Sequence, residues 1–365
     1  MILYDPATVT NYRDYGIMLP VPPDREKRVL EFLGDDYPVM DMDAALAYLE
    51  KENLAQKFPV ITREDLERIH SNEYMEKLYG DGLQTALFNT FELLDSDGKP
   101  SRYEPQLSIK PLSELFHTLI TQAGGTYLAC LLALAKHSAP EKKQAGFCFY
   151  LGGGTHHARY DCGSGFCLIN DIAAAAFKIL AEKTLQIWII DMDAHKGDGT
   201  AELISFARKR KELSYPVPGS KPGILTLSIH MAKGWPLNND ESGIKNDEYE
   251  RAPLLPSDVD IGIEAGEEAE YVDRLAEGIR KLERLSIKTP DLVIVVDGAD
   301  PYEYDSLPSS NLLNLTLEQC VQRDTFVYRY LQDKGIPSAW LQSGGYGDRA
   351  WEPPAHFLKS IRYSY

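Results

Sequence analysis

The chain is 365 residues long and carries 38 lysines and arginines against 55 aspartates and glutamates. That length buries a sizeable core, and the net charge of −17 opposes a direct hold on a nucleic-acid backbone while favouring positively charged ligands. Its 22 prolines and 27 glycines are spread out, with no fixed-period repeat or low-complexity tract, so one domain over residues 1–365 is expected.

In chain order, Met1-Ile2-Leu3-Tyr4-Asp5 lacks the basic segment and apolar core of a signal peptide. A helix is predicted over Ala123–Lys136, and its longest apolar stretch, Tyr127–Ala135, is nine residues, too short to cross a bilayer. Phe147–Leu151 is a short apolar run, as a strand buried on both faces shows, and it leads into Gly152-Gly153-Gly154-Thr155-His156-His157. After a predicted helix over Asn170–Lys183, the run Gln186–Ile190 ends at Asp191-Met192-Asp193-Ala194-His195-Lys196-Gly197-Asp198-Gly199. The run Ile224–Ile229 ends at His230, and a helix is predicted over Glu267–Leu285. Leu292–Val296 ends at Asp297-Gly298-Ala299-Asp300, and Ala339–Gln342 at Ser343-Gly344-Gly345-Tyr346. The alternation predicts an open, mostly parallel α/β sheet with helices on both faces. Ligands bind outside the carboxyl ends of such strands, so the five polar motifs should converge on one crevice.

Two compositional features take the bland reading. Arg208-Lys209-Arg210-Lys211, the one basic run, is read as a solvated helix end rather than a nucleic-acid patch. The five cysteines, Cys162 and Cys167 among them, lack paired metal-ligand spacing and are read as reduced residues of a cytoplasmic protein, none of them holding metal.

Three of the eight histidines fall in the two short segments around His156 and His195. A Zn²⁺ ion bound by nitrogen and carboxylate oxygen, with a position left for water, would give that clustering a chemical reason.

The series Gly152 to Ala158, Ser164 to Asp171, Asp191 to Gly199, Gly298-Ala299-Asp300 and Gly344-Gly345-Tyr346 resembles the zinc-dependent histone deacetylase and acetylpolyamine amidohydrolase family. Weaker matches lie at Pro22 to Glu26, Thr62 to Tyr74 and Gln122 to Thr126. The resemblance implies an arginase-deacetylase fold and one Zn²⁺ held by Asp193, His195 and Asp300. It implies His157 as general base and acid, and His156 as a mainly electrostatic neighbour, so the two need different protonation behaviour. Asp191 would hold His156 and Asp198 would hold His157. Tyr346 would donate to the substrate carbonyl, and Gly165 and Phe166 would border the acyl tunnel. A structural K⁺ or Na⁺ is implied at Asp191, Ser228 and Ile229, with main-chain carbonyls of Asp193 and His195. The implied activity is hydrolysis of an acetyl or other short acyl group from an amine, acetyl-lysine or an acetylated polyamine.

Three departures stand out. Lys196 replaces the histidine or glutamine of many relatives, and Met231 to Leu237 replaces the usual loop, leaving Trp235 as a candidate opposite tunnel wall. The 82–105 segment shows no clear match to the relatives' substrate-holding acid, with Asp95, Asp97 and Glu104 as candidates. A binuclear manganese ureohydrolase shares the fold, but Gly197 stands where it needs a carboxylate two residues after the histidine. A non-catalytic acetyl-lysine-binding module would lack a ligand, base or tyrosine, and none is missing. A homo-oligomer stays open, since a neighbouring subunit would narrow the entrance.

Overall fold

The computed structural model describes residues 1–51, 61–137, 144–215, 221, 223–237 and 254–362. Its strands are β1 (Ile2–Leu3), β2 (Val39–Met40), β3 (Phe147–Tyr150), β4 (Ile187–Asp191), β5 (Ile224–Met231), β6 (Val259–Ile263), β7 (Leu292–Asp297) and β8 (Ser338–Gln342). They form one eight-stranded sheet in the order β2-β1-β3-β8-β7-β4-β5-β6, and the pairs that join them are parallel. This is the open parallel sheet that the alternation of strands and helices predicted.

The central strands β4 and β7 are apolar along nearly their whole length because both faces are covered. In β4, Ile187 and Ile189 join one core while Trp188 and Ile190 join the other. Likewise in β7, Leu292, Ile294 and Val296 point one way, and Val293 and Val295 the other. A one-residue slip would exchange the two sets. The first core lies under the helices Glu114–His137 and Asp171–Glu182, the second under Tyr271–Leu285, Leu317–Asp333 and Glu352–Arg362.

The order of the sheet creates the crevice. From β3 the chain passes over two positions to β4, builds outward through β5 and β6, and returns to fill the gap with β7 and β8. The carboxyl ends of β3, β8, β7, β4 and β5 are therefore neighbours, as the motifs predicted.

Several sequence expectations need correction. The helix expected over Ala123–Lys136 begins at Glu114. Its Glu114–Ala135 stretch is long and apolar enough, by length and composition alone, to cross a membrane, although 72% of the apolar window is buried inside the structure. The nine-residue figure thus counted the wrong segment, and the apolar surface is explained as core. Arg208 does end a helix (Asp198–Lys209), but it is not solvated: its side chain is 9% exposed and grips Asp258, at 2.7 Å through Nη1 and 2.8 Å through Nη2. A charged terminal turn looks alike in sequence whether water or a carboxylate receives it. The two-residue strands β1 and β2 and the half-exposed β6 have too little periodicity to read.

Candidate active site

The loop after β3 is fixed from the start of the next helix. Asn170 caps Asp171–Glu182 by accepting from Ala173 N–H at 2.9 Å, and its amide lies 3.4 and 3.3 Å from the carbonyls of His156 and Ala158. Asp171 accepts from the N–H groups of Gly154 (3.0 Å) and Thr155 (2.7 Å) and binds Thr126. Gly154 has φ +79, and a Cβ there would sit 2.7 Å from Ser343 Cβ, so only glycine lets the β3 and β8 loops meet. His156 and His157 are left 3% exposed each, ring centroids 3.9 Å apart.

The β4 loop supplies their partners. Asp191 Oδ2 lies 2.7 Å from His156 Nδ1, and Asp198 Oδ1, at the first turn of its helix, lies 2.7 Å from His157 Nδ1. Gly197 is required by closeness, since a Cβ would fall 2.1 Å from Asp191 Oδ2. The predicted pairings of carboxylate and histidine are those the structure makes.

His195 Nδ1 lies 3.2 Å from Asp193 Oδ1 and 2.9 Å from Asp300 Oδ2. One atom from each of these three buried residues lies within 4.8 Å of the other two, and a second such group joins His156, His157 and Asp193. From outside, Ala194 N–H donates to Asp300 Oδ1 (2.9 Å) and Gly344 N–H to Asp193 Oδ2 (3.1 Å). Ser309 Oγ stands 3.2 Å from His195 Nε2, leaving Nδ1 turned to the carboxylates. Burial and the Asp193 charge together push the Asp300 carboxyl up. Two crowded carboxylates and an imidazole make a donor set that a divalent cation fits, because its charge would relieve that crowding.

The histidines titrate in opposite directions. Burial alone would lower His156, but the Asp191 and Asp193 carboxylates override it and hold it at about 9. Burial and the neighbouring His156 charge take His157 down to about 4, against the pull of Asp198. Near neutral pH one ring is therefore cationic and the other neutral, a difference of the kind the resemblance implies.

Tyr346 follows Gly344-Gly345, and this loop is clamped by Arg25, whose Nη1 donates to the carbonyls of Ser343 (3.0 Å) and Gly345 (3.2 Å). Asp305 accepts from Tyr346 N–H at 2.7 Å. Burial and the charges of Asp300 and Asp193 push the phenol well above its ordinary value, so it stays a neutral donor. A cavity of about 100 Å³ is lined by His156, His157, Phe166, Asp193, His195 and Tyr346.

The rim differs in detail from expectation. Phe166 meets Tyr346 edge-on at 6.3 Å, whereas Trp235 packs on His157 at 4.5 Å and His195 at 5.7 Å. Gly165 lies between them, where a Cβ would be 2.3 Å from Trp235 Cη2 and 2.6 Å from His157 Cδ2. Lys196 is turned away from the crevice, buried against Asp260 of β6 at 2.5 Å. Asp191 and Ser228 are register partners across β4 and β5, with Ile229 next along β5. Asp95 accepts from the N–H groups of Asp97 and Lys99 (2.9 Å each), Asp97 pairs with Lys99 at 3.4 Å, and Glu104 receives Gln106 at 3.4 Å. All three acids are engaged in contacts within their own segment. The contacts of Ser309, Asp305 and Arg102 escaped sequence reading; Arg25 and Asp171 lay inside matched motifs and could have been found there.

A family model described as the histone deacetylase domain matches residues 19–356. An uncharacterized protein of Picosynechococcus sp. is 31% identical over 229 residues, 62% of this chain and 62% of its own length. Histone deacetylase 2 of Arabidopsis thaliana is 24% identical over 320 residues, 87% of this chain and 67% of that one. The chain thus spans about two thirds of these curated relatives. The crystal structure of an acetylpolyamine aminohydrolase from Burkholderia pseudomallei has the same fold, with a TM-score of 0.60, 17% identity and coverage of 99% and 98% of the two chains. With the matched model running through all five strand-end motifs, the chain belongs to the histone deacetylase domain family.

Proposed function

We propose that this protein is a zinc-dependent amidohydrolase that removes an acetyl or other short acyl group from an amine, working as a single catalytic domain in the cytoplasm. The observation that carries the reading is the buried Asp193, His195 and Asp300 group sharing Asp193 with the paired histidines. Those three residues would hold Zn²⁺, which when bound supplies Lewis-acid polarisation of an acyl oxygen and lowers the pKa of a coordinated water.

The chain's own groups account for the rest. His157, neutral and oriented through Nδ1 by Asp198, takes the proton of the attacking water and returns it to the departing amine. His156, held cationic by Asp191, favours negative charge developing beside it. Tyr346 donates its hydroxyl to the acyl oxygen as it becomes an oxyanion. Ser309 fixes the ring of His195 from behind, as the outer hydrogen bond of a ligand histidine does. A K⁺ or Na⁺ near Asp191, Ser228 and Ile229 would brace the β4 and β5 ends. The substrate is an acylated amine, peptide lysine or small polyamine, with no direct role for nucleic acid.

Elemental analysis of protein purified without added metal, paired with turnover of acetyl-lysine peptides and acetylated polyamines, tests the reading. About one zinc per chain with acyl-amine hydrolysis is expected. Two tightly held manganese ions would favour the ureohydrolase, and a metal-loaded protein inert on every acyl-amine would favour the binding module.

A further inference from the structure

The rim carries an ion pair, Arg102 with Glu92, that the chemistry at the strand ends does not use. Phe166 occupies the left-handed region at φ 64, unusual for a bulky residue, and its N–H donates to Thr90 O at 3.1 Å, at the end of the helix Leu83–Thr90. One side of its ring turns to Tyr346. Over the ring stands the Arg102 guanidinium, with Cζ 5.4 Å from the centroid.

Arg102 is held in place from two directions. Its carbonyl accepts from Met18 N–H at 2.9 Å, and Tyr103 bridges to Ile17, which ties the segment to the chain just before Leu19 on the cavity wall. Its Nη1 pairs with Glu92, itself at φ 52, and both side chains are 34% exposed. The Glu92 carboxylate is thereby engaged, as are Asp95, Asp97 and Glu104 in their local contacts. Among the described residues of this segment, the group facing the aromatic wall is a guanidinium.

Resting on the hydrolase reading above, we infer that Arg102 sets the substrate class: acyl-amines whose far end is neutral or a carboxylate, in preference to those carrying a second ammonium. A guanidinium keeps its charge at any working pH and offers a planar fork matched to a carboxylate. The acidic surface attracts cations in general, so this local selection runs against the global field.

The test uses three acetylated six-carbon amines differing only at the far end: monoacetylated hexanediamine, hexylacetamide and acetamidohexanoate. In the zinc-loaded wild type, kcat/KM should rise in that order, with the carboxylate favoured over the ammonium by about fivefold or more at low salt. At about 1 M salt the preference should shrink towards unity, since the screening length falls to about 3 Å. Arg102→Gln should level the series, Arg102→Lys should restore part of it, and Glu92→Gln should widen it by releasing the guanidinium. A wild type that favours the ammonium, or a series unmoved by Arg102→Gln, overturns the inference while leaving the hydrolase reading intact. No turnover of any of the three by a protein that does hydrolyse an acetyl-lysine peptide overturns the inference alone, whereas no turnover of the three or of the peptide overturns the hydrolase reading and this inference with it.

Discussion

At the strand ends, His156, His157, Asp191, Asp193, His195, Asp198 and Asp300 are each 4% exposed or less and are joined by contacts of 2.7 to 3.2 Å. Along the rim of the same crevice, Phe166, Trp235, Arg102 and Glu92 are partly exposed, set by ring contacts and one ion pair. Most of the inner set is over-determined: Asp191, Asp193 and Asp300 each hold a second partner, so none of the three moves without breaking another bond. The rim is held by loops that share few bonds with the sheet. Chemistry is therefore expected to resist change in the rim, and selectivity to shift with little change in chemistry.

The sharpest way to break that contrast is at the centre. His157→Ala should lower kcat by about 10²–10⁴ and Tyr346→Phe by about 10²–10³, with zinc content unchanged in both. Near-normal turnover in both variants would show that the buried set is not the reacting centre. One step out, Ser309→Ala should weaken zinc affinity by about tenfold, read by competition with a chelator, because His195 loses the bond at its outer nitrogen. An unchanged affinity would mean that the two carboxylates fix the ring unaided. At the rim, Trp235→Ala should admit bulkier acyl groups at the expense of acetyl, changing the ratio of butyryl to acetyl kcat/KM by about tenfold. A profile across chain lengths identical to wild type would place Trp235 outside the acyl path despite its contact with His157.

The same contrast explains what could be read from sequence. Asp193, His195 and Asp300 were legible because each follows an apolar run at a strand's carboxyl end, and a parallel sheet has one place for such residues. The pairings of Asp191 with His156 and of Asp198 with His157 came from resemblance and are made in the structure. Arg102 was illegible, since its position depends on a bridge between Tyr103 and Ile17 that no local pattern announces. Arg208 misled for a related reason: its partner Asp258 lies fifty positions away on the approach to β6. Lys196 stood out only as a departure beside His195, and its partner Asp260, 64 positions away on β6, was equally out of reach of a local pattern.

The position of β8 has a consequence for how the protein is made. Residues 338–342 insert between β3 and β7, and pair with strands that the ribosome produced far apart in time. A nascent chain that has not yet delivered β8 holds two unpaired parallel edges flanking a gap in the middle of its sheet, a pairing surface open to other chains. The Gly344-Gly345-Tyr346 turn arrives with the strand that closes the gap, so the proposed oxyanion donor comes into place only when the sheet is whole. A partly synthesised chain would carry the acidic and histidine donors without Tyr346, able to hold a metal ion before it could act on a substrate.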